Sequence, residues 1–253
     1  MAGLPLKGGS GRVVRKRSPL LEVIACSADD AVAAAEGGAD RIELISHYEV
    51  GGLTPPIELV RDVLAAISIP VRVMLRDRES FEVVDPDEIT QLCRTAETLQ
   101  SLAMTSPHLE GVVLGFLRSP GPVLDLPLLG RILAMAPRLR ATLHRATEDL
   151  PDPGSAFAAV ADLPQIDTFL TSGGPEPWLD KVDRLTEWQA RAGERTILVG
   201  GGVDATAMAI LSRSQPLRAF HVGVAARRGN RVDGPVLAPL VRTLADQLAA
   251  LAS

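Results

Sequence analysis

The strongest constraint on the fold is an alternation of short apolar segments with segments of helix length, which continues along the chain. It is clearest in residues 20–54, where the apolar segments 20–26 and 41–45 flank an alanine-rich stretch. That stretch ends at Gly37-Gly38, and glycine readily takes the left-handed conformation that ends a helix. Two parallel strands need a crossover over the face of the sheet, so this order predicts a βαβ unit.

The same alternation predicts eight strands with helices between them. The predicted strands are residues 20–26, 41–45, 71–76, 111–116, 139–144, 167–170, 196–199 and 218–222. A chain of 253 residues also has the usual length of one eight-stranded α/β barrel, roughly 250 residues. The fold class is therefore predicted as α/β, a single-domain (β/α)8 TIM barrel over residues 19–253. The alternative is an open doubly wound sheet, but its first strand should meet a glycine fingerprint, and here it meets ACSADD.

Helix starts are marked by residues that cap or begin helices well. The predicted starts are Ser27 or Asp29, Thr54-Pro55, Asp85-Pro86, Asp125, Asp152-Pro153, Glu176, Asp204 and Pro235.

Charge and cysteine content narrow the classes of function. The first 18 residues hold five basic and no acidic residues, which leaves 21 basic against 31 acidic residues in the predicted barrel. Residues 1–18 are predicted as a flexible basic tail, and the acidic body argues against a nucleic-acid partner. No apolar run is long enough to span a bilayer, and the two cysteines suggest no disulfide framework. Residues 1–18 have no apolar stretch typical of a secretory signal, so we do not expect one. We therefore expect a cytoplasmic protein without a membrane partner.

Several predicted strands carry charges where a buried strand should be apolar. Side chains alternate between the two faces of a strand, so Arg41 and Glu43 share one face. Buried charges are rarely left unpaired. We therefore expect Glu22, Arg41 and Arg72 to form a paired ion network inside the barrel.

The carboxyl ends of barrel strands are where active sites form. Arg76, His144 and His221 stand at such ends and predict a ligand site. His144 beside Arg145 is a candidate acid–base group next to an anion clamp, or alternatively a hydrogen-bonded core histidine. Glu43 is a candidate base, although nearby arginines are expected to lower its pKa.

Glycine-rich loops follow the last three predicted strands. Ser172 and Gly173 follow the sixth, Gly201 and Gly202 follow the seventh, and residues 222–228 follow the eighth. Open backbone N–H groups can bind an anion, and barrels often bind phosphate after their seventh and eighth strands. Each loop alone could be an ordinary turn. Together with Arg41, Arg76 and His221 they predict one anion pocket on this rim.

A series of short motifs runs along the chain between about residues 21 and 228: LEVIACS, GGADRIEL, GGLTP, a strand ending at Arg76, LHRAT, LTSGG, VGGGV and AFHV. In these motifs and their order the chain resembles the CutC family of copper-homeostasis proteins. The resemblance implies a cytosolic TIM barrel that handles copper as Cu(I). It also implies a homo-oligomer, and among the oligomeric states we expect a dimer.

The chain departs from the family at its cysteines. Members often have cysteines where this chain has Ile24, Ala25 and Ile45, and here Cys26 stands closer to the strand end. Cu(I) prefers thiolate and thioether ligands, so Cys26 is the candidate metal ligand, or alternatively a small buried apolar residue. Glu148 replaces the aspartate of HRAFD, and residues 77–80 replace PRGG.

Three functions follow from these patterns. The resemblance predicts copper handling. The rim chemistry predicts an enzyme or binding protein for a small anionic or phosphorylated metabolite. A purely structural barrel would explain neither the arginines nor the glycine loops.

Overall fold

The chain forms a closed barrel of eight parallel strands, seen in a computed structural model that describes residues 19–212 and 217–252. The strands are β1 Leu20–Ala25, β2 Arg41–Leu44, β3 Val71–Met74, β4 Leu109–Leu114, β7 Arg140–Leu143, β8 Ile166–Thr171, β9 Thr196–Val199 and β10 Ala219–Val222, and a separate antiparallel hairpin joins β5 Leu117–Arg118 to β6 Val123–Leu124. Around the barrel the order is β1, β10, β9, β8, β7, β4, β3, β2. The predicted TIM barrel is confirmed, while the predicted tail, residues 1–18, lies outside the described residues.

Eight α-helices surround the barrel in the described ranges. They are α1 Ala28–Gly37, α2 Ile57–Ala66, α3 Pro86–Ala103, α4 Leu126–Met135, α5 Ala156–Ala159, α6 Trp178–Ala192, α7 Ala205–Leu211 and α8 Ala238–Ala252. Ser27, Asp85, Asp125 and Asp204 cap α1, α3, α4 and α7, each accepting a hydrogen bond from a backbone N–H of the first turn. None of these helices has the length and apolar character needed to cross a bilayer.

Two local predictions were wrong, and one element was missed. The second helix begins at Ile57 rather than at Thr54-Pro55, because the Thr54 hydroxyl donates to Asp77 Oδ1 (2.7 Å) and accepts from the backbone N–H of Arg76 (2.9 Å). The helix predicted from Asp152 begins as a 3-10 turn and continues only as the short α5. The β5–β6 hairpin was not predicted.

The alternation of side chains sorts the strands into an apolar outer face and a mixed inner face. Leu21 and Val23 of β1, like Ile42 and Leu44 of β2, pack outward in the large apolar cluster that includes helix residues. Glu22 between them points inward. The main core therefore lies between the barrel and its helices, and the barrel interior is free to hold charges.

The charges at the amino end of the barrel are paired as predicted. Arg72 is 1% exposed, and its guanidinium bonds Glu110 Oε2 at 2.7 Å and Asp167 Oδ1 at 2.8 Å. Arg41 Nε donates to Glu22 Oε2 at 2.6 Å. The prediction that Glu22, Arg41 and Arg72 form a paired network is confirmed. Such pairs are costly to break, because removal of one partner leaves a buried charge unpaired.

Candidate functional site

A cavity of about 620 Å³ opens at the carboxyl end of the barrel. It brings together seven of the predicted site residues: Glu43, Arg76, His144, Arg145, Gly201, Gly202 and His221. The strands that carry them are not neighbours in sequence but end at the same rim, as the barrel requires.

Four predicted site residues do not line this cavity. Ser172 and Gly173 border a second cavity of about 650 Å³, next to α6. Gly173 has a φ of 77°, and its carbonyl accepts a hydrogen bond from Arg184 of α6, so this loop turns outward. Arg41 is engaged by Glu22, and Cys26 lies against Arg227. The three glycine-rich loops therefore border two adjoining cavities, and anion binding by these loops stays a prediction.

Arg145 lines both cavities, and its positive charge is paired with the carboxylate of Glu148. Its guanidinium Nη2 lies 2.6 Å from Glu148 Oε2. Glu148 also accepts hydrogen bonds from the backbone N–H of Ser172 and the hydroxyl of Thr171. Burial opposes the charge of Glu148, but the bonds from Arg145 and Ser172 outweigh it and lower its pKa. The glutamate that departs from the family motif thus ties two rim loops together.

A chain of polar contacts runs from the cavity into the barrel. His221 Nε2 lies 3.5 Å from Glu43 Oε2, and His221 Nδ1 lies 2.7 Å from Glu22 Oε1. Glu22 Oε2 in turn accepts from Arg41. Burial disfavours a charged His221, but Glu43 and Glu22 outweigh that effect and raise its pKa. Burial also opposes the charge of Glu22, which Arg41 and His221 nevertheless hold ionised by lowering its pKa.

Glu43 behaves differently from the expectation that nearby arginines lower its pKa. Burial is the largest effect and raises its pKa to about 7, against the attraction of His221, Arg41 and Arg76. The negative charge of Glu22 acts in the same direction as burial. Glu43 Oε1 is buried and has no hydrogen-bond partner among the described residues. The expected direction of the shift was therefore wrong.

Arg76 places a buried guanidinium at the cavity wall. It is 5% exposed, and it donates to the carbonyls of Gly52 (2.7 Å) and Val50 (2.9 Å). Within the described ranges, no carboxylate lies within the 4.0 Å of an ion pair with it. Burial lowers its pKa. Within the described ranges its side-chain hydrogen bonds go to neutral carbonyl groups, while Glu43 and Glu79 attract its charge from beyond ion-pair distance.

His144 is a neutral, buried histidine of the cavity lining. Its Nδ1 accepts a hydrogen bond from the backbone N–H of Ala146 (3.1 Å), which places the ring proton on Nε2. Burial and the charge of Arg76 lower its pKa to about 3. Nε2 is buried and without a partner in the part of the chain that the structure describes. The ring fits only beside a glycine, because a Cβ on Gly115 would lie 2.8 Å from its Cε1 and Nδ1.

One residue that supports the site was missed by sequence reasoning. Phe81 lies between two site residues: its ring centroid is 5.0 Å from that of His144 and 5.2 Å from the guanidinium carbon of Arg76. It comes from an irregular segment with no periodic pattern, so the sequence carried no signal for its placement. Arg227, which lies within the predicted segment 222–228, lies over the ring of Tyr48, a residue that also lines the cavity.

Cys26, the predicted metal ligand, lies in an environment that disfavours its thiolate. Burial raises its pKa to about 11, although Arg227 Nη2 lies 3.4 Å from the sulfur. Glu22, Glu43 and His221 are the described residues whose donor atoms come within 4.8 Å of one another. Their donors are oxygen and nitrogen, whereas Cu(I) prefers sulfur.

The comparisons with known proteins point to one family. The model of the CutC family matches residues 20–226. The family protein CutC of Xanthomonas campestris pv. campestris (strain 8004) is 33% identical over 216 residues, which cover 85% of this chain and 87% of that protein. That of Xylella fastidiosa (strain Temecula1 / ATCC 700964) is 35% identical over 213 residues, covering 82% and 77%. A crystal structure from Streptococcus agalactiae, named as a copper homeostasis protein CutC, aligns with a TM-score of 0.70 and 23% identity over 85% of this chain and 100% of that one.

Proposed function

The chain belongs to the CutC family, and from that premise we propose that it serves copper homeostasis and that its carboxyl-end cavity binds a small anionic molecule. The first part follows the role named for the Streptococcus agalactiae protein. The second part follows from the geometry of this chain. Arg76 is the observation that carries it.

Arg76 holds a charge that is buried without a carboxylate partner among the described residues. A buried charge is costly unless it is paired, and carbonyl dipoles satisfy only its hydrogen bonds. Two acids of the cavity lining compete weakly, because Glu148 is paired with Arg145 and Glu43 has a raised pKa. A third, Glu79, acts on Arg76 from beyond ion-pair distance. A carboxylate or phosphate group from a ligand would complete the pairing, and Arg is well suited to both.

The test is a thermal-shift titration with dihydroxyacetone phosphate, 2-oxoglutarate and inorganic phosphate. A ligand at a hundred times its Kd stabilises a protein by about 2.7 kcal/mol, which raises the Tm of a chain this size by about 5–11 °C. We expect Arg76→Met to lose this shift. Arg94→Met, an exposed change on α3, is the matched control and should keep it. An unchanged shift in Arg76→Met, or no shift with any of the three, would contradict the anion site.

The same variants connect the two parts of the proposal. If the cavity carries the role in copper homeostasis, Arg76→Met should fail to restore copper tolerance to a strain that lacks this gene, and Arg94→Met should restore it. Equal complementation by both variants would separate the cavity from that role.

Direct copper binding is less well supported by the residues present. His221 Nδ1 contacts Glu22, and Glu22 Oε2 accepts a hydrogen bond from Arg41. Glu43 and His221 Nε2 are then the two ligand groups left for a metal, whereas zinc sites use three or four protein ligands. Neither is the sulfur that Cu(I) prefers. Cu(I) binding through Cys26 remains a prediction from the resemblance.

An anaerobic Cu(I) titration against a competing chelator tests that prediction. Tight one-to-one binding that is lost in Cys26→Ser would establish a copper site in this chain. Failure to compete with the chelator would exclude a physiological Cu(I) site. The homodimer and the cytoplasmic location also remain predictions from the resemblance, and light scattering on the purified protein tests the first.

A further inference from the structure

We infer that the cavity catalyses proton transfer at the carbon beside a carbonyl group of a small anionic substrate. In this inference Glu43 is the base, His144 donates a hydrogen bond to the carbonyl oxygen, and Arg76 pairs with the anionic group. The inference deepens the anion site of the proposed function and rests on it. It starts from two buried polar atoms of the cavity lining that lack partners among the described residues, Glu43 Oε1 and His144 Nε2.

The two unpartnered atoms have complementary chemistry. His144 is only 4% exposed, and the backbone N–H of Ala146 occupies Nδ1, so Nε2 is a fixed N–H donor on an uncharged ring. A neutral imidazole donates to an oxygen without placing a second full charge beside Arg76. Glu43 is 3% exposed, and its Oε1 is an acceptor with no donor within reach. One atom can therefore give a hydrogen bond to a substrate and the other can take a proton from it.

Arg76 is placed to act with both groups. Its charge lowers the pKa of His144 and favours the ionised form of Glu43, so it lies within electrostatic range of each. Phe81 contacts both the guanidinium and the imidazole and fixes their relative position. An anionic group at Arg76 would orient a short substrate across the space between the base and the donor. Positioning of this kind supplies much of the rate of enzymatic reactions.

The surroundings of Glu43 suit a base that works near neutral pH. The titratable and charged groups that act on it are His221 of β10, Glu22 of β1, Arg41 of its own strand, Arg76 after β3, and Tyr48 and Cys26 in the loops after β2 and β1. Burial is the largest effect, and with the charge of Glu22 it outweighs the attraction of the cationic groups and raises the pKa of Glu43 to about 7. A base is most effective when its pKa lies near the working pH.

The reaction needs no oxidant, reductant or second substrate. Glu43 Oε1 takes the proton from the carbon beside the carbonyl group, and the electron pair of the broken C–H bond forms a carbon–carbon double bond. The carbonyl oxygen becomes an enolate oxygen, which the Nε2–H of His144 stabilises. Glu43 then returns the proton to the same carbon or to its neighbour. The result is exchange, epimerisation or isomerisation of the substrate.

The test is hydrogen–deuterium exchange followed by proton NMR in D2O, with dihydroxyacetone phosphate and 2-oxoglutarate as probes. The wild-type protein should exchange the hydrogens beside the carbonyl group of at least one probe that it binds. Glu43→Gln should slow that exchange by about 10²–10⁴-fold, the usual contribution of a general base, while the Kd stays of the same order. Glu97→Gln, an exposed change on α3, is the matched control and should exchange at the wild-type rate.

A second measurement covers the case in which a variant folds poorly. The exchange rate of the wild-type protein should rise with pH and level off above about 7, as the base loses its proton. Binding without exchange, or equal exchange by Glu43→Gln, overturns the proton transfer and leaves the anion site intact. Failure to bind either probe overturns the anion site as well.

Discussion

Replacing Glu43 by glutamine should make the folded barrel more stable above neutral pH. The carboxyl has a pKa of about 7 in the folded protein against 4.5 in the unfolded chain. Below pH 4.5 both states hold the proton, and Glu43 contributes no pH-dependent cost. As the pH rises from 4.5 to 7 the unfolded chain ionises first, so the folded state loses relative stability. Glutamine keeps the shape of the side chain and does not titrate.

The size of the effect follows from the two pKa values. At about 1.36 kcal/mol per pH unit, the full penalty above pH 7 is about 3 kcal/mol. Between pH 5 and pH 8 the advantage of Glu43→Gln over the wild-type protein should grow by about 2 kcal/mol.

Urea unfolding at pH 5, 6, 7 and 8, followed by circular dichroism, measures this difference directly. The free energy of unfolding of Glu43→Gln minus that of the wild-type protein should increase with pH over this range. Glu97→Gln, whose side chain is exposed, should differ by no more than about 0.5 kcal/mol at any of the four values. A difference that is flat or falls with pH would refute the reasoning, because Glu43 would then have an ordinary or lowered pKa.

Two further substitutions test the ends of the barrel. Arg72→Met should lower the free energy of unfolding by about 3 kcal/mol, the lower end of the range for breaking a buried pair, because Glu110 and Asp167 are about a third exposed and can be hydrated. Urea unfolding should show this loss, and the ligand-induced thermal shift should remain. Gly115→Ala should lower the free energy of unfolding by about 1–3 kcal/mol and displace His144. The pKa of the His144 ring, followed by NMR, should then move from about 3 towards 6.5. Gly130→Ala in α4 is the control: its new Cβ meets only an ordinary contact at 3.7 Å, so it should stabilise the protein by up to about 1 kcal/mol.

The barrel and its interior charges were predictable because both follow from simple periodicities. The two-residue period of a strand assigns Glu22 and Arg41 to the inner face whatever the rest of the chain does. The rule that buried charges are paired then predicts the ion network, and the contacts of Arg72 confirm it. These predictions needed only the strand positions.

The arrangement of the rim was predictable only in part. The strand ends gave the positions of Glu43, Arg76 and His144 along their strands. They did not give the direction of the loop at Gly173, which depends on Arg184 of α6, eleven residues later. Nor did they give the direction of the pKa shift of Glu43, since the sequence does not show how completely its carboxyl group is buried.

The two ends of the barrel use buried charge in different ways, and the difference argues for function at one of them. At the amino end, Arg72 has two carboxylate partners and two threonine hydroxyls within hydrogen-bond distance. At the carboxyl end, the side-chain hydrogen bonds of Arg76 within the described ranges go to carbonyl oxygens. Glu43 and His144, which line the same cavity, each keep one buried polar atom without a partner among the described residues. A buried polar group without a partner costs free energy. A ligand bound in the cavity would supply partners for these unpaired polar groups, which accounts for their convergence on one cavity.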